Sequence, residues 1–214
     1  MSSALRWVIT CPLHIEKLLD QELRSLGYKN LKPSAGKVSL QAPLEAGFRI
    51  CLWSRLANRV LLQLGEWNGI DGNSIYQNAR EFHWHEHLRP NQTFAISFHG
   101  TNQNIRHPHF GSQRLKDALV DHFRDSTGIR PNVDPKNPDV SFWAHLEADQ
   151  LKLSLDFSGV SLHQRGYRQE QGHTSLKENL AAALLWQCGW PMKARNGASL
   201  LDPMCGSGTI LAEG

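Results

Sequence analysis

The residues whose types and spacing could do chemistry sit close together near the C-terminus, in Asp202-Pro203-Met204-Cys205-Gly206-Ser207-Gly208-Thr209. The apolar residues before this string read as a short buried strand over 199–202, and Ile210 with Leu211 begin a helix after it. A strand ending in an acid, a loop with glycines at alternate positions and a helix start together make a ligand cradle. Gly206 and Gly208 lack Cβ atoms, so their backbone N–H groups can come within contact distance of a bound molecule. The helix N-terminus favours an anionic group on that molecule. The spacing is not G-x-G-x-x-G and no Gly-Lys-Ser/Thr follows, which disfavours a dinucleotide or a P-loop phosphate. A tight turn with no ligand is the bland alternative, and the full eight-residue string weighs against it.

Other chemistry is weaker. His83, His85 and His87 alternate through Trp84 and Glu86, but no carboxylate or cysteine stands at zinc-ligand spacing, so an extended polar surface segment and no metal are expected. Cys11, Cys51, Cys188 and Cys205 are far apart with no C-x-x-C pair, which argues against a zinc ribbon or disulfide framework and points to a reducing cytoplasm. No Ser/His/Asp order or paired-carboxylate motif stands out.

The elements that must position the loop follow from hydrophobic periodicity. Residues 7–10 read as a strand, and Ile15, Leu18, Leu19, Leu23 and Leu26 recur at helical spacing up to a stop at Gly27. Residues 37–41 alternate as a strand, Pro43 opens a second helix through Trp53, and residues 59–64 are strand again. With an extra strand near 28–31, this is the order of a ferredoxin-like α+β unit. A second unit holds a short helix over 74–82, a strand over 93–99, a long helix over 111–128 and a hairpin of 140–146 with 151–157. Leu115, Leu119, Val120, His122 and Phe123 form the buried stripe of that long helix. Residues 130–135 read as a proline-stiffened loop and 161–173 as a polar connector. Thr174 then caps a helix with Leu176, Leu180, Leu184 and Leu185 on its apolar face, and 191–197 is a loop. Trp53, Trp143 and Trp186 fall on apolar faces and are assigned to packing.

With 214 residues, 40% hydrophobic and 20% charged, the chain can bury a core without staples and is neither disordered nor fibrous. No apolar run reaches the roughly 20 residues a bilayer needs, and no export signal is visible at the N-terminus. The formal charge of +3 means little by itself. Its distribution says more: Arg106, Arg114 and Lys116 cluster without an acid, beside His107 and His109, and Arg165 and Arg168 flank Tyr167. Local basic patches suit phosphate contacts.

The string from Asp202 to Thr209 resembles motif I of S-adenosylmethionine-dependent methyltransferases that modify exocyclic amino groups, above all the ribosomal RNA guanine-N2 methyltransferases that carry a THUMP domain. Residues 174–182 are similar to the family's motif X. Residues 110–121 resemble the THUMP helix, and 130–134 with Pro138-Asp139 resemble the loop after it. Residues 156–159 and then 162–168 resemble the linker into the methyltransferase, while Leu52-Trp53-Ser54-Arg55-Leu56-Ala57 is familiar from the bacterial large-subunit enzymes. The resemblance implies an α+β chain in three parts: a ferredoxin-like unit at 1–70, a THUMP RNA-binding domain at 71–160 and, after a linker at 161–173, the start of a Rossmann-like methyltransferase domain at 174–214. It implies S-adenosylmethionine as cofactor, held by Asp202, Pro203, Cys205, Gly206, Ser207 and Gly208, with Lys177 and Glu178 beside its methionine end and Cys205 a small wall of the site. It also implies large-subunit ribosomal RNA as partner. Arg106, Arg114, Lys116, Arg165, Tyr167 and Arg168 are the expected RNA contacts.

The family's Asn-Pro-Pro-Tyr-type catalytic motif is absent from these residues, as is the acid that should hold the ribose hydroxyls. The expectation is therefore the substrate-recognising part of a guanine-N2 methyltransferase, inactive by itself, with no membrane or metal partner. Adenine-N6 methylation of DNA and a non-catalytic THUMP module that holds RNA for a partner are the two rivals.

Overall fold

The computed structural model describes residues 4–167 and 176–214. It is a mixed α/β chain that falls into two compact units, one of Met1–Leu61 with Phe157–Gly214 and one of Leu62–Asp156. None of the helices among the described residues is long and apolar enough to cross a membrane.

In the first unit, β1 (Leu5–Thr10), α1 (Glu16–Ser25), β2 (Lys32–Ser34), β3 (Lys37–Ala42), α2 (Glu45–Trp53) and the opening of β4 (Arg59–Asn68) follow one another. β3 lies antiparallel between β1 and β2. Alternation puts Trp7, Ile9, Val38 and Leu40 on one face, all buried, and the helices contribute Leu19, Leu23 and Ile50 to the same core. Gly47 is what lets α2 approach: a Cβ there would lie 2.1 Å from the Trp7 ring. The Trp7 indole N–H donates to the Ala42 carbonyl at 3.2 Å, so burying this large ring leaves no donor unmet. Glu22, on the buried side of α1, accepts from Ser54 Oγ at 2.6 Å and from the Arg55 backbone N–H at 2.8 Å. That one carboxylate anchors the loop after α2, and burial pushes it above the ordinary glutamate range against the pull of those donors.

The same unit receives the chain again at Phe157, whose N–H donates to the Val60 carbonyl at 2.9 Å and whose ring meets Trp7 edge-on at 4.9 Å. After it come α5 (Glu178–Gln187), α6 (Trp190–Arg195) and α7 (Thr209–Glu213), with α5 packed on both α6 and α7.

The second unit orders its strands β4-β8-β7-β5-β6, with β5 (Thr93–His99) parallel to β6 (Asn132–Val133) and β7 (Val140–Glu147), and β7 antiparallel to β8 (Gln150–Asp156). α3 (Gly72–Glu81) and α4 (Pro108–Thr127) pack on one another over a core that includes Ile75, Trp84, Phe94, Leu115, Leu119, Phe123, Phe142 and Leu153. α4 starts with proline in its first turn and stops at Gly128, left-handed at φ +71°. α3 starts at a capping box in which Asp71 accepts from the Ser74 N–H at 2.7 Å and Ser74 Oγ accepts in return.

Those donors hold the Asp71 carboxyl below the usual aspartate range. A lowered folded-state pKa stabilises above the unfolded value, near 3.9, and that contribution is lost as pH falls through the folded value. Asp71→Asn keeps the cap and removes the titration, so its acid unfolding midpoint should lie below the wild type's. Asp71→Ala should lower stability at neutral pH, because the α3 N-terminus then loses its cap. Urea melts at pH 3 and pH 7 check both.

Several expectations are corrected. The extra strand lies at Lys32–Ser34 rather than 28–31. The loop at 130–135 contains β6, a two-residue strand too short to leave a periodic signature. Residues 191–197 are largely helix, α6, since Pro191 sits in the first turn, where its missing N–H costs nothing. Residues 199–202 are neither strand nor buried, and Leu201 is 85% exposed. A strand needs a ladder partner, and no other strand lies in residues 176–214 to supply one. Leu184 and Trp53 are exposed rather than packed. The segment around His83, His85 and His87 is a 3-10 turn pinned by fully buried Trp84, whose indole donates to the Ala79 carbonyl. No cluster of metal-ligating side chains occurs among the described residues. Thr174 and Arg168 lie outside the described residues.

Candidate functional site

The glycine loop is built as its residues dictate. Asp202 Oδ1 accepts the Met204 N–H at 3.1 Å, a local turn that fixes the acid at the loop's start. The Gly208 N–H donates back to the Cys205 carbonyl at 2.7 Å and closes a tight turn around Gly206 and Ser207. Gly206 and Gly208 have φ of +51° and +71°, the left-handed region where glycine has no steric cost. Gly208 is also the N-cap of α7, and its carbonyl takes the first helical bond from Ala212 at 2.8 Å. Ser207 and Thr209 hydroxyls share a hydrogen bond at 3.0 Å.

A Cβ built on Gly206 or Gly208 meets nothing within 4 Å, and Met204 beside them is 90% exposed. The loop is therefore an open backbone cradle that fits one edge of a small polar ligand. Gly206→Val places a β-branched residue at positive φ and fills that space. Where the loop holds the cofactor that the resemblance implies, its expected result is a loss of cofactor binding of more than tenfold in the protein that holds the whole site, with a stability loss of about 1–2 kcal/mol. Calorimetric titration of wild type and variant checks it.

Lys177 is the N-cap position of α5, and Glu178 is the acid of its first turn, where the helix dipole favours negative charge. Glu178 is buried at 5% exposure, so it serves the helix start from inside the unit. Its neighbour Asn179 is fully buried, donates through Nδ2 to Asn58 Oδ1 at 2.7 Å, and has no partner for its own Oδ1 among the described residues.

The expected RNA contacts do not form one patch. Arg106 is exposed, with Nε 3.5 Å from the Gln103 carbonyl. Arg114, on α4, is half-buried against α3, donating to the Gly72 carbonyl at 3.1 Å with its guanidinium 4.8 Å from the centre of the Tyr76 ring. Lys116, two residues on, points to the other flank of α4, as about 100° per residue requires. There it lines a cavity of about 300 Å³ with His109, Ser112 and Gln113 from α4 and Val133 and Pro135 beyond. The spacing 109, 112, 113, 116 is one helical face, and Arg114 lies off it.

The linker side chains meet an acid that no motif or periodicity marks. Glu213, at the end of α7 and 2% exposed, accepts from Arg165 at 2.8 Å, from Arg55 at 3.3 Å and from the Tyr167 hydroxyl at 3.2 Å. Arg165 also donates to the Arg55 carbonyl at 2.7 Å. The helix that begins at the glycine loop is thus tied at its other end to the linker and to Arg55 in the loop after α2. A lone glutamate 158 positions from Arg55 has no periodicity to betray it.

Three domain families match the chain: the RlmL ferredoxin-like domain over residues 6–61, the THUMP domain over 71–156, and the RMKL-like methyltransferase domain over 165–214. The chain is 46% identical over 213 residues to the ribosomal RNA large subunit methyltransferase K/L of Pseudomonas aeruginosa, and 46% identical over 207 residues to that of Stutzerimonas stutzeri. These alignments take in 100% and 97% of the chain, which spans only 29% of either relative's length. Among solved structures, a protein described as a predicted N6-adenine-specific DNA methylase from Listeria monocytogenes superposes with a TM-score of 0.82 at 26% identity, covering 98% of this chain and 54% of that one. A putative methyltransferase, SMU.472, complexed with SAH shares the fold at a TM-score of 0.79 and 24% identity, over 100% of this chain and 55% of that one. In sequence the chain is similar to part of the ribosomal RNA large subunit methyltransferases K/L, with matches to a ferredoxin-like, a THUMP and a methyltransferase domain following one another along it.

Proposed function

We propose that this chain is the RNA-recognising part of an enzyme that transfers a methyl group from S-adenosylmethionine to the N2 amino group of a guanine in large-subunit ribosomal RNA. The observation that carries the reading is the joining, in one chain, of a THUMP-matching unit to an open glycine cradle of methyltransferase type. The division into 1–70, 71–160, a linker at 161–173 and 174–214 is kept as part of the proposal, as is a cytoplasmic location. S-Adenosylmethionine supplies an activated methyl group, and Gly206, Ser207 and Gly208 would pass beneath it, with Asp202 and Cys205 at the loop's edge and Lys177 and Glu178 at the start of the neighbouring helix.

An exocyclic guanine amine is a poor nucleophile because its lone pair is delocalised into the ring. Its activation needs acceptors for its N–H bonds, and the target base must be unpaired or flipped. This chain's own share is to hold the RNA. Lys116, with His109 and Gln113 on the cavity face of α4, is the part of the expected RNA set best placed for it, since Arg114 is held by α3.

The test is binding of the chain to a structured ribosomal RNA fragment and to matched duplex DNA across a salt series. Preference for the RNA is expected; equal or DNA-favouring binding would move adenine-N6 methylation of DNA, the reading suggested by the Listeria protein's description, to the front. Lys116→Ala should weaken RNA binding and lower the salt slope by about 0.7–0.9, one phosphate contact's worth. Arg114→Ala should instead cost stability, about 1 kcal/mol through its lost hydrogen bond and ring contact.

A further inference from the structure

The turn between α2 and β4 is held from several sides. Glu22 on α1 accepts from Ser54 Oγ and from the backbone N–H groups of Arg55 and Leu56. The Asn58 N–H donates to the Thr10 carbonyl of β1 at 2.7 Å. The Asn58 carbonyl accepts from the Leu162 N–H at 2.9 Å and from Ser161 Oγ at 3.3 Å, both in the linker. Its side-chain Oδ1 accepts from Asn179 Nδ2 on α5 at 2.7 Å, while Arg55 reaches Glu213 at the end of α7. One short turn thus joins α1, β1, the linker and both ends of the segment that carries the glycine loop, with α5 before the loop and α7 after it. From Arg59 onward β4 takes the chain out of the first unit and into the second.

Asn179 is the member that packing does not explain. It is fully buried in α5 beside Ala181, Ala182, Ala183 and Leu185, which are buried as well. Its Nδ2 goes to Asn58, and its Oδ1 meets no donor among the described residues. A buried amide with an unmet oxygen carries a desolvation cost that alanine would not, and alanine is also the better helix former. Stability therefore does not account for an asparagine here. What the amide supplies is direction. A hydrogen bond between two short side chains fixes a distance and an angle, whereas apolar contact is non-directional and lets a helix slide.

We infer that Asn58 and Asn179 are positioning residues for the methyl transfer of the proposed function, on which this role rests, and that they register the cofactor-binding segment against the part of the chain that holds RNA. They act through the first turn of α5, where Lys177 and Glu178 stand beside Asn179. RNA and cofactor are held by different stretches of the chain, so a loosened register leaves both affinities as they were. What it spoils is the approach of the guanine amine to the activated methyl group. A misplacement of about 1 Å between reacting groups costs about a hundredfold in rate.

The test uses the protein that holds the whole methyltransferase site, with unmethylated large-subunit ribosomal RNA and S-adenosylmethionine carrying a tritiated methyl group. The variants are Asn179→Ala, Asn58→Ala and Asn58→Asp, the last of which keeps an acceptor for Asn179 Nδ2. Asn179→Ala and Asn58→Ala should lower kcat about tenfold to a hundredfold, with KM for RNA and for cofactor within about twofold of wild type. Asn58→Asp should keep kcat within about threefold of wild type, since the hydrogen bond survives. Asn179→Ala should melt no lower than wild type by circular dichroism, because it removes the unmet oxygen and leaves the half-buried Asn58 open to water. Absence of methyl transfer to RNA by the wild type would overturn the proposed function and this role together. An active wild type with unchanged kcat in Asn179→Ala would overturn the positioning role alone. So would a lowered melting temperature or failure to fold in Asn179→Ala, which makes the pair a structural tie. A rise in KM in place of the fall in kcat, or Asn58→Asp as slow as Asn58→Ala, would overturn it as well.

Discussion

Gly100→Ala is expected to unfold or severely weaken the Leu62–Asp156 unit. Gly100 follows β5 at φ +88°, and a Cβ there would lie 1.9 Å from the Leu146 carbonyl oxygen. That oxygen belongs to the backbone of β7, which is fixed by its ladders to β5 and β8 and cannot rotate away as a side chain would. Two costs combine. A left-handed non-glycine residue costs about 1–2 kcal/mol, and forcing atoms into a filled space costs about 1–3 kcal/mol more. The sum, about 2–5 kcal/mol, is a large share of the stability of a domain this size. Gly128→Ala separates the two terms. Gly128 is also left-handed, at +71°, but nothing lies within 4 Å of its Cβ position, so only the first cost applies. Chemical denaturation of both variants checks the ordering. Equal losses would mean that the β7 backbone yields.

Glu213→Gln should have the second largest effect. The carboxylate is almost fully buried and is the common acceptor for two arginines and a tyrosine. Breaking a buried pair by removing one partner typically costs about 3–5 kcal/mol because the other charge is left stranded. Here the Arg55 and Arg165 side chains remain 36% and 24% exposed, so part of that penalty is relieved by water. About 2–3 kcal/mol is the expected loss. Because the site is dry on the acid's side, added salt should change the wild-type stability little. Joint replacement of Glu213, Arg55 and Arg165 by leucine or methionine should recover much of the loss, which distinguishes a stranded charge from lost packing. The functional consequence follows from α7, which runs only from Thr209 to Glu213 and begins at the glycine loop. Releasing its far end frees the loop itself. On the proposed reading of the glycine loop as part of the cofactor site, Glu213→Gln should therefore weaken cofactor binding from a position that is itself buried.

The motif string and the long periodic segments were legible from the chain alone for a physical reason: they are local. Glycine at alternate positions after an acid dictates a turn with positive φ wherever it is placed, and Gly206 and Gly208 adopt it. α4 carries its own proline start, apolar stripe and glycine stop, so its extent could be read to within a few residues. The 93–99 strand and the 140–156 hairpin show the same agreement between alternation and burial.

Whatever depended on a distant partner was decided by the tertiary structure. Residues 199–202 have strand-like composition, yet with nothing to pair with they form no strand and leave Leu201 in water. β6 has no periodicity of its own and exists because β5 offers a free edge. Arg114 and Lys116 look alike in sequence, but helical geometry sends one to Tyr76 and the other to the cavity beside Val133. The meeting of Arg55, Arg165, Tyr167 and Glu213 joins residues from three separate stretches of chain. The sequence by itself determined the loop that can cradle a ligand, because backbone conformation there is a property of adjacent residues. Only the tertiary structure decided which charges are spent on holding the fold and which remain for a partner, because that depends on what each side chain meets across space.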